Sequence, residues 1–191
     1  MRIIGGTAKG RRLASFKTAS IRPTTDKVRE AIFNILQQPD NDEFGFKKVL
    51  DIFAGTGAMG IEALSRGAER ASFIDSSPKA IQVIKKNLEL CAFTDKASII
   101  AKDAISALEQ SARRGEQFDL IFIDPPYIAS QTGKTLNTIA GKRLLAAEGI
   151  IVAESSKRMI WDGELNGIEL FDRRRYGDTV VSFYKYRRED N

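Results

Sequence analysis

From about residue 46 onward, short apolar runs alternate with segments in which apolar residues recur every three or four positions. The runs predict buried strands at 49–53, 71–75, 97–102, 118–123 and 149–153. The periodic segments predict helices at 58–66, after 75, at 104–113 and at 135–146. Two further strands, 168–176 and 179–186, should form an antiparallel hairpin. Strands alternating with helices are typical of an α/β fold with a mainly parallel sheet.

The first 45 residues follow a different pattern. Residues 1–20 alternate short apolar pieces with glycines and basic residues, which predicts a small β-hairpin. Residues 26–37 place apolar side chains on one helical face, and a polar break follows between Pro39 and Gly45. We therefore expect an N-terminal extension of residues 1–45 and an α/β domain of residues 46–191.

The length and composition of the chain limit the types of protein and of catalytic site that are possible. The 191 residues fit one domain with a sizeable core, and no apolar run reaches the length of a membrane span. No apolar stretch of signal-peptide type follows Met1, so we expect a cytoplasmic protein, and we expect it to be a monomer. The single Cys91 allows no internal disulfide. With no histidine, a histidine triad, a histidine zinc site and a histidine general base are excluded, and we predict no metal.

Positive charge is concentrated at the N-terminus. Residues 1–30 carry eight Lys or Arg and two acids, a net charge of +6, whereas the whole chain carries +5. A basic extension on a nearly neutral body is typical of a nucleic-acid-binding arm. The candidate RNA contacts are Lys9, Arg11, Arg12, Arg22 and Arg29.

The sequence Asp124-Pro125-Pro126-Tyr127 follows the predicted strand 118–123. Each proline fixes φ and lacks a backbone N–H, so the segment should be a rigid loop with carbonyl groups left free. A carboxylate, a free carbonyl and a flat ring suit a planar aromatic amine. Asp124 and the Pro125 carbonyl would hold its NH₂ group, and Tyr127 would stack on its ring.

A glycine-rich turn follows the strand 49–53. Gly55, Gly57 and Gly60 have the spacing of a dinucleotide-binding turn, and Asp75 ends the next strand 20 residues after Gly55, where a ribose-binding acid belongs. Asp51 lies four residues before Gly55. Its charge would repel a pyrophosphate but attract the ammonium and sulfonium of S-adenosylmethionine, so this turn favours S-adenosylmethionine over NAD.

The two motifs together, Asp51-x-Phe53-x-Gly55-x-Gly57 and 124–127, resemble class I S-adenosylmethionine methyltransferases that modify exocyclic amino groups of bases. The runs 1–13 (MRIIGGTAKGRRL) and 22–34 (RPTTDKVREAIFN) are similar to the bacterial RsmD family, which methylates guanine N2 in 16S ribosomal RNA. This resemblance covers essentially the whole chain. It implies the seven-stranded methyltransferase sheet and, as substrate, 16S rRNA or a small-subunit assembly particle.

The resemblance also assigns roles at the strand ends. Phe53 belongs to the cofactor motif, and Asp51 with the Gly55–Gly57 backbone would hold the methionine end of the cofactor. Asp75 would accept hydrogen bonds from the ribose, and Asp103, with Ala104 beside it, would bind the adenine amino group. The catalytic group would be the four residues of the loop: Asp124, Pro125, Pro126 and Tyr127.

Three alternatives remain at this point. A DNA adenine N6-methyltransferase shares the 124–127 loop, but it normally needs a sizeable recognition domain that the chain has no insertion to supply. An NAD-dependent oxidoreductase is disfavoured by Asp51 and by the absence of histidine. A non-catalytic RNA-binding assembly factor on the same fold is disfavoured because the glycine turn and the 124–127 loop are both intact.

Overall fold

The computed structural model describes residues 1–16, 26–37, 44–125, 129–163, 165 and 167–187. Its helices are α1 (Asp26–Leu36), α2 (Ala58–Arg66), α3 (Pro78–Cys91), α4 (Ala104–Arg113) and α5 (Ala129–Gly141), with a 3-10 turn at Thr94–Lys96. Its strands are β1 (Lys48–Ile52), β2 (Arg70–Ile74), β3 (Ala97–Ile100), β4 (Phe118–Ile123), β5 (Leu145–Ser156), β6 (Ile168–Tyr176) and β7 (Thr179–Tyr186). In this part of the chain no helix combines the length and apolar character needed to cross a membrane.

The strands form one seven-stranded sheet in the order β3-β2-β1-β4-β5-β7-β6. The five strands from β3 to β5 are parallel, and β7 runs antiparallel to both β5 and β6. The predicted fold class, with its C-terminal antiparallel hairpin, is confirmed. The strand order reverses between β1 and β4, and in such sheets ligands bind outside the carboxyl ends of the strands at this reversal.

Local sequence explains how the helices around this point begin. Pro78 occupies the first turn of α3, and the Ser77 hydroxyl accepts a hydrogen bond from Ala80 N at 3.4 Å.

Helix α2 lies very close to the sheet at Gly60, where an added Cβ would be 2.4 Å from Phe73 Cε1. Glycine is therefore required there by packing, since a side chain would push α2 away from β2.

The prediction for residues 135–153 was wrong at its boundaries. Helix α5 ends at Gly141, and Arg143 has a φ of 53°, which stops any helical continuation. Leu145, predicted to be helical, already pairs with Phe118 of β4, and β5 extends to Ser156. Pairing with the buried strand β4 overrides the helical spacing of the apolar residues 144–146.

The N-terminal residues pack onto the same core as the sheet. Residues 1–16 form a short hairpin with an antiparallel bridge between Arg2 and Arg12, as predicted for the described part of 1–20. Ile3 and Phe33 are completely buried and belong to one apolar cluster with Phe73 of β2 and Phe122 of β4. The division at residue 45 stays a prediction, and most of the predicted polar break lies outside the described residues.

Candidate active site

Four acidic residues lie near the carboxyl ends of four adjacent strands. Asp51 is the penultimate residue of β1, and Asp75, Asp103 and Asp124 follow β2, β3 and β4. Because these strands are parallel neighbours, all four acids come to one edge of the sheet. The structure therefore brings together the acids that the sequence indicated.

Asp51 is the most enclosed of the four. Its residue surface is 3% exposed, and its Oδ2 atom accepts a hydrogen bond from Gly60 N at 3.0 Å. Burial raises the pKa of Asp51 to about 7; the Gly60 hydrogen bond opposes this shift, and the nearby Asp75 adds to it. A buried carboxylate that is costly to ionise alone is well suited to a cationic ligand.

The turn between β1 and α2 has an unusual backbone. Phe53, Gly55 and Gly57 all have positive φ, at 60°, 56° and 75°. Glycine tolerates this conformation, but for Phe53 it is strained, and such strain in a folded protein is often found at functional sites. A Cβ built on Gly55 would lie 3.9 Å from Phe53 O and 4.0 Å from Phe16 Cε2, so a side chain would not clash there but would cover the backbone of the turn.

Asp75 holds the turn in place. Its Oδ2 atom accepts from Gly55 N and its Oδ1 atom accepts from Ser77 N, both at 2.8 Å. Each carboxylate oxygen can accept a second hydrogen bond, so both retain capacity for a ligand hydroxyl. Asp75 therefore links the turn to the start of α3 and can still bind a ribose.

Asp103 has a structural role that is compatible with binding. It is exposed and caps α4, where its Oδ1 atom accepts from Ser106 N at 3.0 Å. Hydrogen bonds from the Ser106 backbone and side chain hold the pKa of Asp103 below its ordinary value. It is therefore ionised at neutral pH beside the buried Ala104.

Asp124 lies at the point where the strand order reverses. Its backbone N donates to Ile52 O at 3.4 Å, which fixes the loop against the end of β1. Surrounding protein atoms displace water and raise the pKa of Asp124 well above its ordinary value, and the charges of Glu154 and Asp51 raise it further. The residue nevertheless remains exposed, so a ligand at this edge of the sheet can reach it.

The remaining loop residues are described only in part. Pro125 is buried, whereas Pro126 and Tyr127 lie outside the described residues. Glu154 lies near the carboxyl end of β5 and was not among the site residues predicted from the sequence. Glu154 could have been found from the sequence, because it directly follows the buried run 149–153, and an acid near the end of a buried run is the pattern of the four aspartates. Among the described residues, no group of three or more acidic or cysteine side chains is arranged to hold a metal ion.

A family model described as "Conserved hypothetical protein 95" matches residues 1–185, which is nearly the whole chain. The chain belongs to this family. Its relatives include a Bacillus subtilis protein named "Putative rRNA methyltransferase YlbH", which is 40% identical over 187 residues, covering 98% of this chain and all of the relative. They also include "Ribosomal RNA small subunit methyltransferase D" of Escherichia coli, 37% identical over 155 residues that cover 81% of this chain and 74% of the relative.

A solved structure agrees with these relatives. The Escherichia coli protein described as "Putative methyltransferase yhhF" superposes with a TM-score of 0.82 at 33% identity and covers 97% of both chains. The resemblance to the RsmD family stated from the sequence is confirmed, and the seven-stranded sheet is that of a methyltransferase. Conserved hypothetical protein 95 is thus a family that contains rRNA methyltransferases.

In this member of the family, the predicted RNA contacts fall into three groups. Lys9, Arg11 and Arg12 are exposed on the N-terminal hairpin, although Arg11 also donates from Nη1 to Leu90 O at the end of α3. Arg22 lies outside the described residues. Arg29 is completely buried and pairs with carboxylates, so we withdraw it from the predicted RNA contacts.

Proposed function

We propose that the chain transfers a methyl group from S-adenosylmethionine to the 2-amino group of a guanine in 16S ribosomal RNA. The observation that carries the proposal is the placement of Asp51 and Asp124 at the carboxyl ends of the neighbouring strands β1 and β4, where the strand order reverses and the Asp51 charge acts on Asp124. One acid suits a cationic cofactor and the other suits an aromatic amine. Membership of a family with ribosomal RNA methyltransferases supports this assignment.

The residues present fit S-adenosylmethionine, which supplies an activated methyl group and leaves as S-adenosylhomocysteine. Asp51 would sit near its positive charges, where a buried carboxylate interacts most strongly. The absence of a side chain at Gly55 lets a ligand approach the backbone closely, and Asp75 has free acceptor capacity for two ribose hydroxyls. Asp103 would accept from the adenine amino group.

Asp124 and the Pro125 carbonyl would hold the guanine amine. Two acceptors that bind both N–H bonds direct the nitrogen lone pair toward the methyl carbon, which is an orientation effect. S-adenosylmethionine, when bound, would supply the methyl carbon and would leave as S-adenosylhomocysteine, and the guanine nitrogen would carry a positive charge until it loses a proton. Asp124 stabilises that charge, and the raised pKa of Asp124 suits it to receive the proton.

The proposal is tested with small ribosomal subunits from an Escherichia coli strain that lacks its methyltransferase D. Incubation with the wild-type protein and S-adenosylmethionine should produce N2-methylguanosine in 16S rRNA, detected by mass spectrometry of the digested RNA. Asp124→Asn should slow formation of the product by up to roughly 10²–10³-fold, whereas the matched control Asp95→Asn, on the exposed 3-10 turn, should not. N6-methyladenine in added duplex DNA, or no methylated base at all, would contradict the proposal.

A further inference from the structure

One buried side chain connects the N-terminal segment to the glycine turn. Asn87 of α3 is completely buried, and its Oδ1 atom accepts a hydrogen bond from Ala14 N at 2.7 Å. Its Nδ2 atom donates to Ala14 O at 3.1 Å and to Thr56 O at 2.9 Å. The same amide therefore binds a residue of the N-terminal segment and a residue of the turn that lies between Gly55 and Gly57.

These contacts use both donors of the amide. A primary amide has two N–H donors, and in Asn87 one is directed to Ala14 and the other to Thr56. If either carbonyl moved away, an N–H group would be left unpaired in a buried site, which is unfavourable. The positions of Ala14 and Thr56 are therefore linked through Asn87.

The Phe16 ring also lies close to the glycine turn. The nearest side-chain atom to a Cβ built on Gly55 is Phe16 Cε2, at 4.0 Å. Residues 14–16 thus lie directly beside the turn that is expected to hold the cofactor. Fewer than ten residues earlier in the chain, the hairpin presents the exposed basic residues Lys9, Arg11 and Arg12.

We propose that Asn87 is a positioning residue that couples binding of the cofactor to binding of RNA. A cofactor that fixes the glycine turn also fixes Thr56, and through Asn87 it fixes the segment that follows the basic hairpin. RNA bound to the hairpin acts in the opposite direction, because coupling between two sites is reciprocal. This inference rests on the proposed function for the identity of the two ligands.

The coupling is measured with S-adenosylhomocysteine, which binds without turnover, and with unmethylated 16S rRNA. The affinity of S-adenosylhomocysteine is determined by calorimetry with and without saturating RNA, and the affinity of RNA with and without S-adenosylhomocysteine. We expect each ligand to tighten the other by about fivefold or more, the lower end of typical coupling. Equal factors in both directions would show that one coupling is being measured.

Two variants test whether the coupling depends on Asn87 and on the neighbouring Phe16. Asn87→Asp has nearly the same volume and still accepts from Ala14 N, but its carboxylate cannot donate to Thr56 O. Phe16→Ala removes the ring beside Gly55 from a partly exposed position and carries little risk for folding. In both variants we expect the coupling factor to fall toward one. If Asn87→Asp does not fold, Phe16→Ala still tests whether residues 14–16 couple the two sites, and an unchanged coupling factor there would contradict the proposal.

A matched control separates coupling from simple attachment of the hairpin. Ser65 of α2 is also buried; its hydroxyl accepts from Ala8 N at 2.9 Å and donates to Gly5 O at 2.6 Å, and neither contact reaches the glycine turn. Ser65→Ala should lower the melting temperature and leave the coupling factor unchanged.

The possible outcomes separate the two proposals. A purely structural role for Asn87 predicts a lower melting temperature with an unchanged ratio of affinities, and that result would overturn the coupling. No coupling in the wild type would overturn it as well. Failure of the wild type to bind S-adenosylhomocysteine and RNA at all would instead overturn the proposed function.

Discussion

Arg29 of α1 and Glu62 of α2 form a completely buried ion pair, with Arg29 Nε 3.6 Å from Glu62 Oε2. The Glu62 carboxylate also accepts from Ile4 N at 2.9 Å and from Gly5 N at 2.8 Å. Arg66 Nε binds Glu62 Oε1 at 2.9 Å. One carboxylate therefore joins α2 to both the hairpin and α1.

Replacing Glu62 should destabilise the protein strongly. Glu62→Ala leaves the Arg29 charge and two backbone N–H groups without this acceptor, and loss of one partner of a buried pair costs about 3–5 kcal/mol. Urea unfolding of the variant measures the change. The matched control is Glu69→Ala, because the Glu69–Lys47 pair is on the surface and such pairs contribute about 0–1 kcal/mol. If the two substitutions lowered the free energy of unfolding equally, Glu62 would contribute no more to stability than a surface pair.

Ionisation of the buried Asp51 side chain should lower the free energy of unfolding as the pH rises. The pKa of Asp51 is raised from 3.8 to about 7 in the folded protein, so the folded state holds a proton that the unfolded state has released between these values. The free energy of unfolding of the ligand-free protein should therefore fall as the pH rises from about 4 to about 7. Asp51→Asn removes this dependence, and at pH 8 the variant should be more stable than the wild type by up to about 4 kcal/mol.

Urea unfolding at pH 4, 6 and 8 measures this effect, with Asp95→Asn on the exposed 3-10 turn as control. The difference in free energy between Asp51→Asn and wild type should widen up to about pH 7 and then remain constant. A constant difference at all three pH values would show that Asp51 titrates normally.

Loss of the Asp51 side chain should weaken cofactor binding. Asp51→Ala removes a contact to a cationic ligand, and hydrogen bonds to charged groups contribute about 1.5–3 kcal/mol. Calorimetry with S-adenosylmethionine measures the loss in affinity. An unchanged dissociation constant in a folded variant would remove Asp51 from the cofactor site.

Asp124→Ala should lower kcat by roughly 10²–10³-fold, as expected for loss of one preorganised electrostatic contact in the transition state. Cofactor affinity should change little, because Asp124 is assigned to the base. In the wild type, activity should rise as Asp124 loses its proton, and the raised pKa of Asp124 should move this rise to a higher pH than for an ordinary aspartate. A kcat within a few-fold of wild type would show that this carboxylate does not hold the amine.

The hairpin should contribute to RNA affinity through phosphate contacts. Arg11→Ala together with Arg12→Ala should weaken RNA binding at low salt and reduce the slope of log K against log salt by about 0.7 for each lost single-strand contact. The double variant Arg113→Ala and Arg114→Ala removes two exposed charges from the end of α4 and serves as control. The same slope in both double variants would show that the hairpin is not the RNA-binding surface.

Much of the site could be predicted from sequence because parallel strands bring their carboxyl ends to one edge. A strand followed by an acid is visible locally, as with Asp75 and Asp124, and the sheet then places these acids together. The burial of Arg29 could not be predicted, because its partner Glu62 is 33 residues away and the pairing depends on how α1 packs on α2. Asn87 was missed for the same reason, since its partners lie in two other parts of the chain.

The attachment of the hairpin to α2 and α3 has a consequence for synthesis of the protein. Ile4 and Gly5 bind Glu62, and Arg11 binds Leu90. These hairpin residues are therefore synthesised about 60 to 80 residues before the residues that they bind. Until α3 has left the ribosome, only the α2 part of the surface on which the basic hairpin docks is present. Contacts between distant parts of a chain slow folding, so we expect closure of this N-terminal segment to be a late folding step.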